Sequence, residues 1–222
     1  MANPEITLNS YQIGPSSWGH QGAPVVLNTA QGRVSCLLRQ YEGSEHAVLW
    51  AGALRGEETK LQASPISDAL SRKLLRDGVT SLMVRYRSAH NLEPCVKDVQ
   101  SAIIFLEQQG IQHIALVGHS FSGAVVISVA PMSRSVACVA TLASQTYGTR
   151  NVPHISPRPL LLIHGTADQR LGPHCSEQIY SWANQPKHLV FINGGTHGLW
   201  ESKDQLLPVL HNWLNEKLLS AV

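Results

Sequence analysis

The chain has 222 residues, of which 43% are hydrophobic and only 14% charged, and this excludes a disordered segment or a long charged coiled coil. Its 17 basic and 15 acidic residues leave a net charge of +2 without any Lys/Arg block, so the electrostatic footprint of a nucleic-acid-binding protein is missing. A chain of this size buries roughly 70% of its unfolded surface and needs neither a disulfide nor a metal to fold, and one domain over residues 1–222 is expected.

The start, Met1-Ala2-Asn3-Pro4-Glu5, has no positive region followed by an apolar one, so no secretory leader is read there. Val34, Cys36 and Leu38 alternate within residues 32–41, which reads as a strand, and residues 46–50 read as a short buried strand. Leu70, Leu74 and Leu75 fall at helical spacing before Gly78, and residues 80–86 are strand-like again. Pro94 opens a helix that carries Val96, Val99, Ile103 and Leu106 on one face and ends at Gly110. The alternation continues with a strand at 113–117, a helix at 121–130 and a strand at 136–142. After these come a strand at 160–164, a helix at 173–184 and a strand at 188–192. A last amphipathic stretch runs to about Leu219, with a kink or a start expected near Pro208.

Strands alternating with helices predict the α/β class, a mostly parallel sheet covered by helices on both faces. The two early strands without a helix between them predict an antiparallel hairpin at the N-terminal edge. The longest apolar runs, around Ala124 to Pro131 and Pro159 to Ile163, fall short of the ~20 residues that cross a bilayer. Cys36, Cys95, Cys138 and Cys175 lie far apart with no C-x-x-C pair. These features predict a reduced, cytoplasmic protein with neither membrane nor nucleic-acid partner.

In such sheets ligands bind beyond the carboxyl ends of the strands. One strand ends in Gly118-His119-Ser120-Phe121-Ser122-Gly123 and turns at once into a helix. A serine at that apex is held strained and exposed at a helix N-terminus, and it needs a base and an orienting acid to become a nucleophile. Between Ser120 and His197 the chain holds only two carboxylates, Asp168 after a strand and Glu177 inside a predicted helix. Of the histidines beyond Asp168, only His197 sits in a glycine-rich loop just past a strand. Ser120, Asp168 and His197 are the candidate nucleophile, acid and base.

The stretches LVGHSFSGA, LLLIHGTADQ and GGTHG resemble the α/β-hydrolase superfamily, and within it the small lidless branch similar to dienelactone hydrolases and carboxylesterases. The resemblance runs from about Glu45 onward. It implies a serine hydrolase that cleaves carboxylic esters, a class that extends to lactones and thioesters, through an acyl-enzyme and without a cofactor. The same-fold alternatives are a peptidase and a perhydrolase, and a different class is a module that only binds or signals on this scaffold.

The family pattern G-x-S-x-G has Gly where this chain has Ser122, a small replacement followed by Gly123. The family's His-Gly loop reads Trp50-Ala51-Gly52-Ala53-Leu54-Arg55-Gly56, without the histidine. Alignment on Gly52 implies the Ala53 N–H as one oxyanion donor, with Leu54 one register away, and the Phe121 N–H as the other. Ser144 to Arg158 is too short for a helical cap domain. Tyr147 and Trp200 are candidate pocket residues for a small-molecule ester substrate. Arg85-Tyr86-Arg87 is read as an ion-pair or hydrogen-bonding element rather than a substrate contact. The scattered histidines, His119 and His164 among them, are read as structural or pocket-wall groups, with no metal site. Oligomeric state is left open.

Overall fold

The computed structural model describes residues 8–15, 22–56 and 61–219, so the stretch read for a leader, Met1 to Glu5, lies outside the described residues. Its strands are β1 (Leu8–Ile13), β2 (Ala23–Thr29), β3 (Gly32–Arg39), β4 (His46–Ala51), β5 (Leu54–Arg55), β6 (Gln62–Ala63), β7 (Thr80–Arg85), β8 (His113–His119), β9 (Val136–Leu142), β10 (Leu160–Gly165) and β11 (Lys187–Ile192). Its helices are α1 (Pro65–Arg76), α2 (Leu92–Gln108), α3 (Phe121–Val129), α4 (His174–Trp182) and α5 (Lys203–Leu219).

Nine strands form one sheet in the order β1-β2-β3-β7-β4-β8-β9-β10-β11. From β7 to β11 every pairing is parallel, while β1, β2 and β3 pair antiparallel and β3 joins β7 antiparallel. The antiparallel edge predicted from sequence is present, but its partners differ. β3 and β4 do not form a hairpin, because β7 lies between them; β3 instead pairs back with β2. Neither β1 nor β2 was read from sequence, although Val25, Leu27 and Thr29 alternate inward.

Because strand side chains alternate, each central strand feeds two cores. Ala47, Leu49 and Ala51 of β4 join Ile114 and Leu116 of β8 in a core covered by α2, α3 and α4. Val48 and Trp50 join Ala115 and Val117 in the opposite core, under α1 and α5. Each fully buried Leu or Ile contributes about 1.5–3 kcal/mol, and this two-sided burial is why the strands read as continuous apolar runs.

Ser64 caps α1 by accepting from the Ser67 N–H, and Pro65 occupies the first turn, where its missing N–H has no partner to lose. At the C-terminal end, α5 starts at Lys203, upstream of Pro208, and keeps the proline inside the helix. Between β9 and β10 the connector carries only a 3₁₀ turn, Val152–Ile155, so no cap domain is inserted there. Among the described residues no helix is long and apolar enough to cross a membrane.

Candidate active site

The chain runs from β4 through α1 to β7 on one side, then through α2 to β8 on the other side of β4. This reversal opens a crevice at the carboxyl ends of β4 and β8, the switch point at which open α/β sheets bind ligands. Ser120 stands there, between the last residue of β8 and the first of α3. Its backbone is at φ 57° and ψ −120°, a conformation that costs a non-glycine residue about 1–3 kcal/mol. Its N–H donates to Leu142 O over 2.8 Å, and its carbonyl accepts from the Gly123 N–H over 3.0 Å.

The close passage of helix against strand explains the neighbouring glycines. A Cβ on Gly118 would lie 2.2 Å from the Ser122 carbonyl oxygen, and one on Gly123 would lie 2.3 Å from Ser144 Oγ. Ser122 itself fits because Gly52, at φ +64°, leaves room; a Cβ there would meet Ser122 Oγ at 2.5 Å. The serine found where the G-x-S-x-G pattern has glycine is thus accommodated by the missing side chain of Gly52.

Asp168 and His197 reach Ser120 from the loops after β10 and β11, and these loops are stitched together. The Thr166 N–H donates to Ile192 O, the Ala167 N–H to Gly195 O, and the Gly194 N–H to Thr166 Oγ1. Gly165 permits the contact, since a Cβ there would sit 2.1 Å from Gly195 O. Within this frame His197 Nδ1–H donates to Asp168 Oδ2 over 2.8 Å, and His197 Nε2 accepts from the Ser120 hydroxyl over 3.0 Å. Asp168 is 5% exposed, and its Oδ1 accepts from the backbone N–H groups of Arg170 and Leu171, each over 2.9 Å. Burial alone would raise its pKa. The Leu171 N–H, the His197 hydrogen bond and the Arg170 N–H outweigh burial and hold the carboxyl below the ordinary aspartate range.

Two further histidines belong to this network, each read from sequence only as structural or wall residues. His164, fully buried, presents Nε2 to Leu171 O at 2.8 Å and to Asp168 Oδ2 at 3.2 Å. Two acceptors at Nε2 require the proton there, so Nδ1 accepts from the Ser176 hydroxyl over 2.7 Å. The signal was present: a histidine at the end of the apolar run Leu160-Leu-Leu-Ile163 must be hydrogen-bonded to be buried. His119 Nε2–H donates to the His197 carbonyl over 2.7 Å, and the two rings lie 5.0 Å apart. Burial lowers the His119 pKa and outweighs the hydrogen bond to the His197 carbonyl, which acts the other way.

Two cavities adjoin Ser120. An open cleft of about 800 Å³ is lined by Ser120, Phe121, His197, Leu54 and Arg85, among others. A more enclosed one of about 260 Å³ is lined by Trp50, Ala53, Ile66, Leu142 and Trp200. Gly52, Arg55, His119, Ser122 and Gly198 line both. Trp200 therefore lines the enclosed cavity. Tyr147 does not: it is 77% exposed and lines neither of these cavities, because the connector after β9 carries it outward. Phe121 is the first residue of α3, so its N–H has no acceptor within the helix. Ala53 turns its carbonyl to the Ser64 N–H, while Leu54 is paired with Ala63 one step further along the ladder. Alternation then points the Leu54 N–H away from β6.

The Arg85-Tyr86-Arg87 element divides. Arg87 holds the buried Asp98 through Nε and its backbone N–H, over 2.6 and 2.9 Å, whereas Arg85 faces the cleft. Among the described residues no group of three His, Cys, Asp or Glu side chains is arranged to hold a metal ion.

A search of protein-family models matches none to this chain. The uncharacterised protein YfhR of Escherichia coli K12 is 32% identical over 126 residues, covering 45% of this chain and 44% of YfhR, so the match spans less than half of that relative. Among solved structures, the esterase domain of a Rhodothermus marinus protein superposes with a TM-score of 0.71 at 22% identity, over 86% of this chain and 96% of that one. Dienelactone hydrolase from Anabaena variabilis gives 0.72 at 19% identity, over 85% and 94%. A lidless α/β serine hydrolase from Xanthomonas campestris gives 0.66 at 15%, over 90% and 94%. The chain has the α/β-hydrolase fold.

Proposed function

We propose that the protein is a serine hydrolase that cleaves carboxylic esters, with Ser120 as nucleophile, His197 as base and Asp168 as acid. The observation that carries this reading is the unbroken hydrogen-bond chain from Asp168 through His197 to Ser120, with Ser120 held strained at the strand-to-helix apex. The esterase and serine-hydrolase descriptions of the superposed structures support it.

In the proposed reaction, Ser120 Oγ attacks the ester carbonyl as His197 Nε2 takes its proton. Asp168 keeps the imidazole in the tautomer that leaves Nε2 free and stabilises the imidazolium. His197 then protonates the departing alcohol, leaving an acyl-serine. A water molecule loses a proton to His197 and attacks the acyl carbonyl, releasing the acid and restoring Ser120. The tetrahedral oxyanion is held by the Phe121 N–H and by one amide just after Gly52. Alignment selects Ala53 for that second role. The cleft lining and the ladder geometry favour Leu54, which shares the cavity of Ser120 and turns its N–H away from β6. Among the described residues no cap covers the cleft, so small or extended esters reach it directly. The four cysteines, all unpaired and buried, support the reading of a reducing, cytoplasmic location.

The test is hydrolysis of p-nitrophenyl acetate by the protein and by Ser120→Ala. We expect the variant to lose at least about 10³-fold in kcat. Equal turnover by both would remove Ser120 from the chemistry and favour a scaffold that only binds.

A further inference from the structure

The two cavities beside the nucleophile differ in what the proposed reaction can use. Ser120 and His197 line the open cleft and not the enclosed cavity. His197 hands a proton to the departing alcohol and takes one from water, so both must pass on the cleft side. The acyl group stays bonded to Ser120 between the two steps. The enclosed cavity, joined to the cleft along Gly52, His119, Ser122 and Gly198, is left as its place. A cavity of about 150 Å³ holds a benzene ring, so one of about 260 Å³ takes a group of roughly ten non-hydrogen atoms.

The lining of this cavity is not uniformly apolar. Trp50, the penultimate residue of β4, is 2% exposed, yet its indole Nε1–H has no hydrogen-bond partner among the described residues. Buried indole N–H groups ordinarily find an acceptor, and an orphan one marks a place that a ligand or a water completes. A second donor belongs to the same lining. Pro65 has no N–H, the Ser67 N–H is taken by Ser64 Oγ, and the Ile66 N–H, in the first turn of α1, has no acceptor within the helix. Among the described residues no carboxylate lines the cavity, and its one cationic side chain, Arg55, is exposed and also lines the open cleft, so it stands where the two meet. The depth of the cavity thus combines the apolar surfaces of Ile66, Leu142 and Trp200 with neutral donors. Trp50 stands one residue before the Ala51-Gly52 pair that replaces the family's His-Gly, a position that the pattern leaves unspecified.

We propose that the enclosed cavity receives the acyl group and that Trp50 makes it selective for acyl groups of medium length bearing a neutral oxygen acceptor, foremost a keto group that accepts from Nε1–H. A neutral N–H suits a neutral carbonyl, whereas a carboxylate would lose more on leaving water than one such bond returns. An aliphatic chain of the same shape would displace any water at the indole and leave the donor unmet. This inference rests on the ester-hydrolase reading above and narrows its substrate class; Trp50 sets specificity and takes no part in proton transfer.

The experiment uses esters matched in shape that exchange a carbonyl oxygen for a methyl group: ethyl 4-oxopentanoate against ethyl 4-methylpentanoate, and ethyl 5-oxohexanoate against ethyl 5-methylhexanoate. We expect the oxo member of at least one pair to be preferred about threefold or more in kcat/KM, although it is the less hydrophobic. Trp50→Phe, which keeps an aromatic ring and removes the N–H, should lower that oxo-to-methyl ratio about threefold or more. Trp50→His, which keeps a ring N–H, should lower it less. Ile66→Trp, which fills the cavity, should lower the ratio of ethyl hexanoate to ethyl acetate turnover. No preference for the oxo member in either pair, an oxo-to-methyl ratio unchanged in Trp50→Phe, or a hexanoate-to-acetate ratio unchanged in Ile66→Trp would overturn the inference while leaving the hydrolase reading intact. Should Trp50→Phe fail to fold, the parent ratios and Ile66→Trp decide by the same criteria. If no ester is turned over, the hydrolase reading fails and binding decides. In that case 2-hexanone should shift the indole N–H resonance assigned to Trp50 in a heteronuclear spectrum, and an unmoved resonance would overturn the acceptor site.

Discussion

Arg85 and Arg87 stand two residues apart at the end of β7, and their surroundings could hardly differ more. Arg87 turns into the protein and meets Asp98, which is wholly buried; Arg85 turns to the cleft and meets one carbonyl. The same contrast separates the two walls of the site. Around His197, each polar group has its partner: Asp168 accepts from two backbone N–H groups and two histidines, His164 is fixed by Ser176 and Leu171, and His119 holds the His197 carbonyl. Around Arg85, Arg55 and Arg170 the donors outnumber the acceptors. A satisfied wall holds reacting groups at fixed geometry, and an unsatisfied one leaves capacity for a ligand. What distinguishes them is not composition but whether the folded chain already supplies the counter-group.

The sharpest break of this comparison is on the satisfied wall. Asp168→Asn should keep the fold and lower kcat by about 10³–10⁴-fold, because an amide can donate to Nδ1 and favour the wrong imidazole tautomer. Steady-state kinetics alongside a circular dichroism spectrum checks this, and an unchanged kcat would mean that another residue orients the base.

Next in size is the stability contrast between the neighbouring arginines. Arg87→Met strands the Asp98 carboxylate in the core and should cost about 3–5 kcal/mol in denaturant unfolding. Arg85→Met buries no orphan charge and should change stability by less than about 1 kcal/mol. Similar losses for the two would erase the distinction drawn between them.

A smaller effect is expected one layer behind the acid. His164→Leu removes the ring that ties Asp168 and Leu171 to Ser176, and we expect kcat to fall by up to about a hundredfold with KM little changed. A loss confined to thermal stability, with kcat intact, would reduce His164 to a packing role.

How far the sequence reaches follows the same division. The parallel strands and their helices were legible because burial on both faces forces continuous apolar runs, as in Ile114 to Val117. β1 and β2 were not, since β1 exposes most of its side chains and carries little apolar periodicity. Ser120, Asp168 and His197 stood out because each follows a strand in a glycine-containing loop. Tyr147 was misplaced because nothing in an aromatic after a strand reveals which way an irregular connector carries it. The partners of His164 and Arg85 were not legible for a different reason: where a polar side chain finds its partner depends on residues distant in the chain, such as Ser176 or Gly56.

Acidification gives the mildest test of the satisfied wall. Asp168 has a depressed pKa in the folded protein, so the stability it lends is complete above the ordinary aspartate value of about 3.9 and is lost only as pH falls through its lowered one. In denaturant unfolding, Asp168→Asn should therefore lose its stability difference from the parent protein only in strongly acidic solution, and a difference that already vanishes near neutral pH would contradict the depressed carboxyl.

The most direct measurement is where a fluorophosphonate attaches. Peptide mapping of the labelled protein by mass spectrometry should place the phosphonyl group on Ser120, with labelling abolished in Ser120→Ala and strongly slowed when His197 is replaced by alanine. Attachment at another residue, or no attachment to a folded protein, would contradict the assignment of Ser120 as the nucleophile.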